Sequence, residues 1–131
     1  MEKYFTNHNQ CVALKELGYN EPCLASWNFY TNEFNYNPYP STFRSDDVIQ
    51  LPLKSQVFEW FRKNHLLGHD INCPFVSYSG KNAEIRNGGR YELYITDEEQ
   101  LSLPEDIFYS TDYFEAESKA IDKLIEIVKN K

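Results

Sequence analysis

The sequence predicts an α+β domain, an antiparallel sheet of three to five strands with a central and a C-terminal helix packed on one face. Three observations lead there. Apolar residues recur at helical spacing in Pro52 to Gly68 and again after Asp112. Residues 23–30 and 90–96 alternate as half-buried strands do. Closely spaced turn signals, Gly80-Lys81-Asn82 and Asn87-Gly88-Gly89, make a meander between them. A chain of 131 residues forms one domain over 1–131 and is long enough to bury a continuous core.

Taken in order, the chain first predicts a helix from Asn7 to Leu17, with Cys11, Leu14 and Leu17 inward. Thr6 or Asn7 caps its start and Gly18 closes its end. Glu21-Pro22 forbids continuation, and a strand follows with Cys23, Ala25, Trp27 and Phe29 opposed to Leu24, Ser26, Asn28 and Tyr30. Thr31-Asn32-Glu33 turns into a weaker strand, Phe34 to Tyr36. Asn37 to Leu51, with two prolines and little periodicity, reads as a connection of unusual length. In the central helix Pro52 takes the first helical position and Gly68 the left-handed terminus. Leu53, Val57, Trp60, Phe61 and Leu67 face the core there, while Lys54, Gln56, Glu59, Arg62 and Lys63 point away.

His69 to Tyr78 then reads as one strand, with Ile71, Cys73 and Phe75 on one side and Pro74 confining it to an edge or a bulge. A short strand lies around Glu84 to Arg86, and Arg90 to Thr96 alternates with Tyr91, Leu93 and Ile95 opposed to Glu92, Tyr94 and Thr96. An acidic loop from Asp97 to Ser110 leads into the last helix, which Asp112 and Glu115 open as a capping box. Ala116, Ala120, Ile121, Leu124, Ile127 and Val128 form its apolar stripe.

Ten Tyr, nine Phe and two Trp supply a core of large groups and exclude a disordered chain. No apolar run approaches the roughly 18 residues of a membrane span, and MEKYFTNHNQ lacks the apolar middle of a secretory signal, so a cytosolic protein is expected. Three cysteines suit free thiols rather than a disulfide framework. The net charge of −7 resides in residues 92–131, which hold eleven acidic and four basic side chains. Eight carboxylates and no Lys or Arg lie between Asp97 and Glu117, a block that repels phosphate and favours basic partners.

The order of features resembles a known class. ALKELGYNEPCLASW near the start, a proline followed by QVFEWFRKNH, a strand meander and a helix ending in KLIEIVKNK look like uncharacterised small proteins of Bacteroidetes-type phages and prophages. The likeness covers nearly the whole chain and is one of hydrophobic framework. It implies an accessory protein of a mobile element, acting inside a bacterial cell by binding a host or phage macromolecule, and brings no catalytic residues with it.

Candidate chemistry is sparse. His65, His69 and Cys73 are spaced H-x3-H-x3-C and include good zinc ligands, but no fourth ligand or paired spacing accompanies them. Cys23 or Cys73 could act as a nucleophile with a His base, yet both fall on the apolar side of their strands. Asp46-Asp47 and Asp97-Glu98-Glu99 offer paired carboxylates without the glycine and spacing of a calcium loop, and no phosphate-binding loop is present. No cofactor is therefore expected. Tyr30, Tyr78 and Tyr94 are expected on the sheet face away from the helices, beside Arg86 and Arg90, where bases could stack. The acidic balance opposes nucleic acid, so such a face better suits a protein.

The sequence thus predicts a non-enzymatic accessory protein that binds a protein partner, a basic surface being favoured. Two regions are expected to do so: the acidic loop, through Asp97, Glu98, Glu99, Glu105 and Asp106, or the sheet face bearing Tyr30 and Tyr94. The rivals are a small metal- or Cys/His-dependent hydrolase and a single-stranded nucleic-acid binder.

Overall fold

Asn7 starts the first helix, α1 (His8–Glu16), by a reciprocal arrangement. Its side chain accepts from the Gln10 amide N at 2.8 Å, while Gln10 Oε1 accepts from the Asn7 N at 3.1 Å. The helix closes on Gly18 at φ +98°, with Gly18 N donating to Lys15 O and Tyr19 N to Leu14 O at 2.9 Å. A left-handed glycine followed by an apolar residue that folds back onto the helix is the Schellman ending, and Tyr19 joins Leu14 in the core.

The computed structural model describes residues 2–37, 47–72, 76–79, 82–85, 91–96, 108–110 and 112–130, and the elements given are those of these residues. The first sheet has the order β2-β1-β3, all antiparallel, from β1 (Ala25–Asn28), β2 (Glu33–Asn35) and β3 (Val48–Leu51). Asn28 makes the β1–β2 turn by accepting from Tyr30 N at 2.8 Å and Thr31 N at 3.0 Å, and Asn32 takes the left-handed φ of 56°. Phe29 therefore belongs to the turn rather than to the strand. The supposed connection from Asn37 to Leu51 ends in β3, where Leu51 pairs with Ala25 and Ile49 with Trp27. Phe5, Cys11, Ala25, Ile49 and Leu51 make a small core on one face, under the N-terminal segment and α1.

The second helix, α2 (Lys54–His65), buries Val57, Phe58, Trp60 and Phe61 as its stripe requires, but its ends differ from expectation. Pro52 lies before the N-cap residue Leu53, buried, and its carbonyl accepts from Thr6 N at 3.1 Å. Gln56 Oε1, instead of a capping side chain, meets the Leu53 N at 3.0 Å. Leu66, not Gly68, takes the left-handed position, at φ 56°. Gly68 is needed one step later: a Cβ there would sit 2.8 Å from Thr96 Oγ1 across the strand pair.

The alternation over 69–78 divides between two strands that pair with different partners. β4 (Gly68–Asn72) pairs with β7 (Tyr91–Thr96), which also pairs with β8 (Phe108–Ser110), a strand within what reads as the acidic loop. β5 (Val76–Ser79) and β6 (Asn82–Ile85) form a separate ribbon. An α+β fold with antiparallel sheets is thus present, and among the described residues its strands form two three-stranded sheets and a ribbon. Alternation reports which way a side chain faces and says nothing of which strand lies alongside.

The last helix, α3 (Tyr113–Lys129), begins where Asp112 accepts from Phe114 N at 2.8 Å and Glu115 N at 3.0 Å. Glu115 does not complete the expected box; it pairs with Lys119 at 3.2 Å. Helices α2 and α3 lie together on the second sheet, and the main core joins Phe61, Ile121, Leu124 and Ile95 with Leu14 from α1. Leu124→Ala should cost about 2–5 kcal/mol in urea unfolding, because the site is fully enclosed and cannot collapse around the void.

His69 is partly buried beside that core. Its ring stacks on Phe58 with centroids 3.5 Å apart, and its Nδ1 is buried without a hydrogen-bond partner among the described residues. Burial first, and the nearby Arg62 charge second, push its pKa down to about 4. The folded protein keeps this imidazole neutral while the unfolded chain protonates it near pH 6.5. Stability from this group is therefore fully present above about pH 6.5 and declines as pH falls towards 4. Urea midpoints at pH 7.0, 5.5 and 4.5 should show the decline, and His69→Leu should flatten that part of the profile.

Candidate functional site

One side of the first sheet carries a strip of aromatic rings that its cover does not enclose. Trp27 of β1 lies directly opposite Phe34 of β2. Phe5 meets Phe34 at 5.4 Å and Tyr36 at 5.9 Å between ring centroids. His8 stacks on Trp27 at 4.8 Å and 17°, and meets Phe29 edge-on at 5.7 Å. The cover consists of residues 5–7 and the nine-residue α1, held beside the end of β3 by the bridge between Phe5 and Leu53, the N-cap residue of α2. It shields the middle of the strip only. Phe29 is left 42% exposed, Tyr36 57% and Tyr30, on the turn, 84%.

Beside the strip is a cleft of about 290 Å³, lined by Phe5, His8 and Trp27 together with Lys54 and Ser118 from the helices. Lys54, expected to point outward, is 6% exposed. It stands at the start of α2 where the first turn of α3 approaches, and its Nζ donates to Phe114 O at 3.0 Å. Burial lowers its pKa, against the pull of Glu117 and Asp112. The same burial raises Glu117, with Lys54 opposing.

Of the residues expected to bind a partner, Tyr30 is at the sheet turn and fully presented. Tyr94 is in β7, its backbone opposite Asp70, and Tyr78 is in β5. Tyr30 is on the β1–β2 turn, Tyr78 in the β5–β6 ribbon and Tyr94 in the β4-β7-β8 sheet, so among the described residues no one sheet carries all three. Asp97, Glu98, Glu99, Glu105 and Asp106 lie outside the described residues, between the end of β7 and the start of β8. Asp46 and Cys73 also lie outside them.

The rival chemistry fares as follows. His65 packs its ring against Trp60 and Phe61, whereas His69 stacks on Phe58, so the two imidazoles have separate aromatic partners. Among the described residues no three His, Cys, Asp or Glu side chains gather as a metal would require. Cys23 is half-buried and burial raises its pKa. Cys11 is fully buried, donates to Gln50 O, and is pushed up to about 12, chiefly by burial. Both thiols hold their protons, the unreactive form.

Sequence reasoning missed Phe5, His8, Lys54 and Ser118. They meet from three parts of the chain, and periodicity within a segment gives no sign of such a meeting. Lys54 carried a misleading signal, since a lysine at a polar helix position reads as solvated.

No protein-family model, curated protein or solved structure matches the chain. No helix among the described residues is long and apolar enough to cross a membrane. In a Cys23→Ser/Cys73→Ser chain, Cys11 should resist a thiol reagent at pH 8 until denaturant unfolds the protein, with the modification rate following the unfolding curve.

Proposed function

We propose that this protein is a non-enzymatic accessory protein that binds a protein partner through the aromatic end of its first sheet. The observation that carries this reading is the exposure of Phe29 and Tyr36 on one strip of rings, with Trp27 and Phe34 half-buried in it, and of Tyr30 on the adjoining turn. Aromatic side chains concentrate at the centres of protein interfaces, where a rigid ring gives large contact at small entropic cost. A contiguous exposed strip of this kind marks a surface used for association.

The acidic segment has a separate part in this reading. Carboxylates at Asp97, Glu98, Glu99, Glu105 and Asp106 steer a basic partner towards the protein and set the rate of encounter, while the rings set the lifetime of the complex. The resemblance of the chain to small phage and prophage proteins supports a bacterial cell interior as the setting and a host or phage macromolecule as the partner. Single-stranded nucleic acid is the weaker candidate, because stacking rings without a basic groove leave the phosphates repelled by a net charge of −7.

Affinity capture from a bacterial lysate tests the proposal with three chains: wild type, Phe29→Ser/Tyr30→Ser, and a variant with Asn or Gln at the five acidic positions. Folding of each is confirmed by its near-ultraviolet circular dichroism. A partner should be held by wild type and weakened about tenfold or more by the ring variant, with a smaller and salt-dependent loss in the charge variant. Equal capture by wild type and the ring variant would move the site elsewhere. Repeated capture without a partner would sink the proposal.

A further inference from the structure

We infer that the cleft between the N-terminal segment and the helices binds a small organic monocarboxylate, its flat body against the Trp27–His8 wall and its carboxylate at Lys54. The site shares Phe5, His8 and Trp27 with the aromatic strip but none of its exposed rings, and it does not depend on the partner-binding reading. Its volume of about 290 Å³ is near the lower end of small-ligand pockets, which combine apolar walls with a few convergent polar groups.

Lys54 supplies the reason for an anion. An ammonium group so removed from solvent is costly unless paired. Its one hydrogen bond goes to a neutral carbonyl, that of Phe114, and no carboxylate among the described residues forms an ion pair with it. Glu117 and Asp112 act on it only at longer range. The Phe114 ring, 5.7 Å from Nζ, adds to that hydrogen bond, and two of the three N–H donors make no hydrogen bond among the described residues. Ser118 lines the same cleft, and its Oγ accepts from Gln10 Nε2 at 3.0 Å, which leaves its own O–H to donate.

The remaining lining selects the class of anion. Glu2, exposed and bordering the cleft, opposes a second negative charge, so a monoanion is favoured over a phosphate dianion. Phe5 and the stacked Trp27 and His8 give a flat apolar wall, which an aromatic or short aliphatic body fits.

Benzoate, benzyl alcohol and phenyl phosphate, titrated separately and followed by the indole N–H resonance of Trp27, test the inference. That N–H is buried, which suits it as a reporter. Benzoate should move it saturably, with benzyl alcohol and phenyl phosphate each at least about tenfold weaker. Lys54→Met keeps the apolar stem and should weaken benzoate by about tenfold or more, and Ser118→Ala by a few-fold. Should Lys54→Met fail to fold, the selectivity among the three probes in wild type decides. No saturable shift with benzoate at tens of millimolar, equal binding of the alcohol, tighter binding of the phosphate, or unchanged affinity in folded Lys54→Met would each overturn it.

Discussion

A single buried amide holds the two halves of this fold in place. Gln10 is 3% exposed, and its Oε1 completes the start of α1 by accepting from Asn7 N. Its Nε2 faces α3, where Ser118 O, Ser118 Oγ and Asp122 Oδ1 lie at 2.9–3.0 Å. The three contacts cross more than a hundred residues of chain, and they fix α1 against α3 both in distance and in rotation. Because α1 lies on the first sheet and α3 on the second, the amide sets how one sheet stands to the other. A buried polar group of this kind strengthens the fold only while all its partners are present, since an orphaned donor costs the full desolvation of the group.

Lys54 extends the same logic to a charge. The first turn of a helix is an unfavourable place for a cation, because the helix dipole is positive there. The Phe114 carbonyl and ring and the more distant carboxylates of α3 offset that cost and draw the two helix starts together. Phe114 is also met by Tyr4 edge-on at 5.1 Å and by Lys3 at 4.8 Å. One ring thereby gathers the N-terminal segment, α2 and α3, and the cleft is the space left where they converge.

Much of this was legible in the sequence, for reasons that vary by element. The helices were, because Val57, Trp60 and Phe61 in α2 and Ala120, Ile121 and Leu124 in α3 repeat at a spacing that only a helix turns to one side. Asn7 and Gly18 marked α1 by cap chemistry. The strands β3 and β8 were not, since four and three residues inside turn-rich stretches carry no periodic signal; β1 and β7 supply the partners that make them strands. Tyr30 was expected on the outward side of the strand, and the turn that Asn28 makes takes it out of the strand instead. The company of His8 with Trp27, and of Lys54 with Phe114, depends on tertiary approach and leaves no local trace.

The passage from α2 to β4 consists of Leu66 and Leu67 alone. Leu66 turns the chain through the left-handed region, Leu67 is buried, and Gly68 is already pressed against Thr96. The link has no slack to absorb a change of length. Deleting one residue would not merely shorten it; the strand would rotate by one position, taking His69 and Ile71 off the core side and bringing Asp70 onto it. The second sheet is timed by its helix, much as a gear is set by the tooth before it, so tolerance to insertion and deletion should be lowest at this short joint.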